Sequence, residues 1–171
     1  MQTGFPRADA QDDFERVLRD ARLARLAGWL SGRAPGRDRL PVLGEVTIAG
    51  GARQELVPIA QIVGSVEPMI CFDRHFRPTS QLPRERFVRI DADVRNGRGM
   101  DPVELYHHDG GYYVEDGHHR IAVARALGER RVWANVTEVR PSRPAATAAA
   151  KGAGSGSSRR PCGTEDGSGA E

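Results

Sequence analysis

The chain has 171 residues, 39% of them apolar, and a formal net charge of +2, which suits one domain with appendages around one modest core. That charge is spread out: residues 1–40 carry 8 Arg against 6 acids, 41–140 carry 13 Arg against 14, and 141–171 carry 3 Arg and 1 Lys against 3. A dedicated DNA-binding domain gathers its basic residues on one face, so DNA as a partner gains no support from charge.

No apolar run approaches the length of a membrane span, and the acidic, arginine-rich N-terminus does not read as a signal peptide. The expectation is a cytoplasmic protein without a membrane partner. Cys71 and Cys162 are too few and too poorly placed for a disulfide scaffold, and Cys71, in an apolar setting, reads as a small core residue.

Residues 10–31 read as an amphipathic helix. Phe14, Val17, Leu18, Ala21, Ala24 and Leu30 fall at helical spacing, and Arg16, Arg19, Arg22 and Arg25 line the other side. With the linker GRAPGRDRLP it forms an arginine-rich extension over residues 1–40, packed on the domain with a solvated arginine face. The main domain, 41–140, opens with two strands, 45–48 and 54–59, joined across Gly50-Gly51. A turn, Gly64-Ser65-Val66-Glu67-Pro68, and an arginine-bearing loop, FDRHFRP, come next. A helix then runs from Pro83 to Asn96-Gly97, with Phe87, Ile90 and Val94 on one face.

A strand over 102–107, a hairpin turn at Asp109-Gly110 and a return strand over 112–115 follow. The chain then passes through Asp116-Gly117-His118-His119-Arg120 into a nearly all-apolar helix closed by Gly128, and Val132–Val139 is a last strand. The order predicts an α+β fold with a small mixed β-sheet and packed helices. Residues 141–171, rich in Gly, Ala and Ser, read as a disordered tail.

The chemistry concentrates at residues 116–120. A strand leading through a glycine into a helix offers unpaired backbone N–H groups and the positive end of a helix dipole, which suit phosphate. Arg120 would grip phosphate oxygens in a bidentate fashion, His119 would donate one more bond, and Gly117 would let the backbone approach closely. The loop bearing Arg74, His75 and Arg77 would close over this site. A zinc site from His107, His108, Asp109, Asp116, His118 and His119 is disfavoured, because neighbouring side chains on a strand point to opposite faces.

The pattern D-G-H-H-R-x-x-V-A, followed by a glycine and a final strand, resembles the phosphate-binding turn of the ParB/sulfiredoxin superfamily, over about residues 55–140. Gly117 and Arg120 match its G-x-x-R, and Val57-Pro58-Ile59-Ala60-Gln61-Ile62 is similar to its V-P-I/L-x-x-I segment. His118 stands where sulfiredoxins carry a cysteine, so peroxiredoxin repair is not implied. Gly128-Glu129-Arg130-Arg131 imitates the G-E-R-R of chromosome-partitioning ParB proteins but follows the helix, and reads as a decoy. The resemblance implies a nucleotide-binding protein taking a nucleoside triphosphate, ATP or CTP, with Asp116, Gly117, His118, His119 and Arg120 at the phosphates. It further implies Mg2+ held through Asp116 and, for a phosphotransferase or nucleotide hydrolase, Glu67 as the acid–base residue. The alternative is a non-catalytic ParB-related module, DNA-associated or regulatory.

Overall fold

A computed structural model describes residues 4–32, 40–79 and 81–141. The chain runs as helix α1 (Pro6–Leu30), strand β1 (Val46–Pro58), a 3-10 turn (Ile59–Gln61) and β2 (Ile62–Ser65). It continues as α2 (Arg84–Arg95), β3 (Val103–His108), β4 (Gly111–Asp116), α3 (His118–Ala126) and β5 (Arg131–Pro141). The strands form one mixed sheet in the order β1-β5-β3-β4-β2. The β1/β5 and β3/β4 pairs are antiparallel, and β3/β5 and β2/β4 are parallel. The fold is α+β, as the order of predicted elements implies.

Alternation of side chains along each strand gives the sheet its buried face. Val57 stands opposite Val132, Val103 beside Ala134, and Leu105 between Val114 and Val136. All are buried, in one core with Phe87 and Val88 of α2 and Ile121, Ala122, Val123 and Ala124 of α3. The hairpin turn follows its sequence closely. Asp109 and Gly110 have φ of 48° and 74°, the paired left-handed conformation that a two-residue loop needs to match strand twist. The helix expected from Pro83 begins at Arg84, with Pro83 extended at its N-cap and Asn96 at its C-cap.

One expectation needs correction. Residues 46–58 are one strand, not two strands joined at Gly50-Gly51. Ile48 pairs with Val139 and Ala52 with Thr137, so residues 49–51 bulge opposite Glu138 alone. A Cβ at Gly50 would lie in ordinary contact with Glu138 Cβ at 3.4 Å and one at Gly51 would meet nothing within 4 Å, so the bulge passes beside β5 rather than reversing the chain. Cys71 is fully buried, as expected of a small core residue; Cys162 lies outside the described residues.

The first helix starts at Pro6, and its N-terminal half belongs to the core. Ala10, Phe14 and Leu18 are part of the buried cluster, and the Phe14 ring meets Phe87 edge-on at 5.4 Å. Asp91 of α2, fully buried, accepts from Arg95 Nε at 2.6 Å, and Arg95 also pairs with Asp13 of α1. Arg16 donates to Ala126 O at 3.0 Å, placing a cation at the negative end of α3. The expected arginine face is therefore divided: Arg16 is a bridge, whereas Arg19 and Arg22 are exposed. Among the described residues no helix is long and apolar enough to cross a membrane. The tail from 142 onward and most of the 32–41 linker lie outside the described residues.

Candidate functional site

The β4–α3 junction is built around Gly117. It has φ of 104° and is the N-cap of α3, a conformation open to glycine and strained for other residues. A Cβ there would also lie 2.6 Å from Val103 Cγ1 and 3.2 Å from Arg120 Nε. Glycine is thus required twice, for backbone angle and for space against β3. The first-turn amides of α3 have no acceptor within the helix, and the dipole's positive end points the same way.

The structure aims the side chains of this turn inward more than the sequence suggests. Arg120 donates to the carboxylate of Asp116, to Pro102 O at 2.5 Å and to Asp101 O at 3.4 Å. Its guanidinium ties the first turn of α3 to the end of β4 and to the chain entering β3. Asp116 Oδ1 is buried and accepts no hydrogen bond among the described residues.

His118 and His119 are 2% and 4% exposed. The Phe72 ring stacks on His118 at 6.0 Å and meets His119 edge-on at 5.3 Å, and Phe76 tilts against His118 at 6.3 Å. His118 Nε2 lies 2.8 Å from Ser65 Oγ, which itself donates to Val114 O at 3.2 Å. Which of the two donates to the other depends on the His118 tautomer.

The loop of Arg74, His75 and Arg77 does pack on α3, and its phenylalanines make that contact. Asp73 shapes the loop: Oδ1 accepts the amides of His75 and Arg77 at 2.8 and 3.0 Å, and Oδ2 accepts Arg77 Nε at 2.8 Å. Arg77 is therefore committed to Asp73, while Arg74 and His75 stay exposed. Partial burial, then the charge of Arg77, lowers the His75 pKa. Burial likewise lowers that of Arg125, which feels both Asp73 and Arg77 from α3.

Glu67 stands two residues beyond Ser65, and Val66 N donates to Val114 O at 2.9 Å. The 64–68 segment thus reaches the end of β4, close in the fold to the β4–α3 turn. The sequence reading missed Ser65, Phe72 and Phe76. The pair of phenylalanines four residues apart in FDRHF was the available signal. Among the described residues no three His, Cys, Asp or Glu side chains converge as a metal site.

No family model matches the chain, and no curated protein matches it. A solved structure it resembles is the C2221 form of a Pnob8-like ParB-N domain, at 18% identity and a TM-score of 0.36. That match covers 55% of this chain and 31% of the other, so the chain aligns with less than a third of that structure's length.

Proposed function

We propose that this chain is a phosphate-binding domain whose β4–α3 turn receives the phosphates of a nucleotide. The observation that carries the reading is the backbone at Gly117, a left-handed residue that turns a strand directly into a helix N-terminus. Amide donors of that kind bind anions without any side chain's help. The D-G-H-H-R resemblance supplies the nucleotide, ATP or CTP, as the source of the phosphate. Arg120 orders the turn through Asp116, and Arg74 adds positive charge from the neighbouring loop. Magnesium fits only as part of a metal–nucleotide complex: Asp116 Oδ1 offers one oxygen, and such an ion takes its remaining ligands from phosphates and water.

A catalytic extension, phosphotransfer or nucleotide hydrolysis with Glu67 as acid–base residue, rests on the resemblance. One observation favours the non-catalytic alternative of a nucleotide-responsive binding module. Arg120 is committed to Asp116 and two carbonyls, and His118 to Ser65, so these side chains already serve the fold. Thermal melts of the full chain with ATP, CTP and GTP, with and without magnesium, test the proposal. A saturable stabilisation, competed by inorganic triphosphate, is expected. No shift with any nucleotide would overturn it, and product analysis of a binding nucleotide separates enzyme from module.

A further inference from the structure

α1 carries two apolar stripes on opposite sides. The first, Ala10, Phe14, Leu18 and Ala21, is buried. The second begins further along the helix. At about 100° per residue, Leu23, Leu26, Ala27 and Leu30 fall within about 100° of one another, facing away from Phe14 and Ala21. Leu23, Leu26 and Leu30 are 58%, 52% and 71% exposed, and Trp29, on the flank, is 69% exposed. Single exposed leucines are ordinary, but a run of this kind on one helix face is a surface awaiting a partner. The alternating spacing of three and four residues is that of a seam between two helices.

We propose that this stripe is a self-association surface, on which two copies of the chain pair their α1 C-terminal halves antiparallel about a two-fold axis. Leu23 to Leu30 reads L-x-x-L-A-x-x-L, the same in either direction apart from one Leu–Ala exchange at its centre. An antiparallel partner therefore sets Leu23 against the partner's Leu30, and Leu26 against the partner's Ala27, large on small. A two-fold axis of this kind brings like flanks together. Arg22 and Trp29 share a flank, so Arg22 reaches the partner's Trp29 within one helical turn, a cation over an indole, twice by symmetry. A parallel pair sets that flank against the opposite one and forms neither contact. An acidic helix or an anionic lipid surface would use the arginines but would have no need of the two-way reading. Two helical turns fall short of the roughly 800 Å² per partner of a stable complex, so the dimer is weak and concentration-dependent.

Sedimentation of the full chain tests this. The wild-type mass should rise toward twice the monomer between about 10 µM and about 1 mM. Leu23→Asp and Leu30→Arg should each stay monomeric with unchanged circular dichroism, since both sites are exposed. Mixing the two should restore the dimer, because residue 23 faces the partner's residue 30. A mixture of Leu23→Asp with Leu23→Arg should not, the two being about 10 Å apart along the axis. A wild type that stays monomeric throughout, a Leu23→Asp variant that still dimerises, or rescue by the second mixture would each overturn the proposal.

Discussion

Ser65 Oγ and His118 Nε2, 2.8 Å apart and both almost fully buried, join strand β2 to the first turn of helix α3 across 53 residues of chain. The bond fixes where α3 starts relative to the sheet edge, and Phe72 closes it from solvent. Ser65→Ala removes the hydroxyl from a buried pair, which costs about 1–3 kcal/mol. Chemical denaturation of the variant should show a lower midpoint with unchanged slope. A midpoint equal to wild type would mean that the Ser65 hydroxyl makes no net contribution to stability.

Gly117→Ala meets both a left-handed backbone and Val103 at 2.6 Å from the new Cβ. The strained backbone alone costs about 1–3 kcal/mol, and crowding of a packed position adds about as much. Gly128, with φ of 81° and nothing within 4 Å of a built Cβ, provides the comparison. Gly128→Ala should lose only the backbone part, so melting of the two variants side by side isolates the cost of crowding. Equal losses would show that β3 yields to the extra methyl.

Arg120→Ala should lower stability and not merely ligand affinity, because its guanidinium secures Asp116 and the carbonyls of Asp101 and Pro102. A loss of about 1–3 kcal/mol is expected from the carbonyl bonds, part-buried to Pro102 and exposed to Asp101. The coupling to Asp116 should be smaller, about 1 kcal/mol or less, since that side chain is 39% exposed and its charge is screened. A double-mutant cycle with Asp116→Ala, read by denaturation, measures that coupling. An Arg120→Ala variant as stable as wild type would show that the guanidinium is free to serve a ligand.

Much of this fold was legible because local signals and tertiary packing agree. The Asp109-Gly110 turn, the apolar run of α3 and the Phe87 stripe of α2 each have a period or a turn chemistry that only one element satisfies. Gly50-Gly51 was not legible as a bulge, because the same two glycines also suit a reversal; pairing with β5, some 80 residues later, decides between them. The direction of side chains at the β4–α3 turn was hidden for a related reason. Sequence places Arg120 and two histidines at a helix start, but whether they face solvent depends on Phe72, Ser65 and Pro102, which come from distant parts of the chain.

Asp91 gives the stability a pH signature. Burial raises its pKa above the ordinary 3.8, with Arg95 opposing. The folded state therefore holds this proton more tightly than the unfolded chain, a contribution fully present below 3.8 and lost as pH rises through the folded value. Asp91→Asn cannot titrate. The stability of wild type relative to this variant should thus decline as pH rises from below 3.8 through the raised folded value, read by thermal melts in matched buffers. A difference that grows with pH would mean that Arg95 outweighs burial.

Strand β5 lies between β1 and β3 in the sheet, yet it comes last among the strands in the chain. Until its residues emerge from the ribosome, β1 has no hydrogen-bonding neighbour and β3 has only β4. The longest strand of the protein must therefore wait, with its backbone groups exposed, through most of translation. The charged Arg53 and Glu55 make that waiting strand a poor template for other chains.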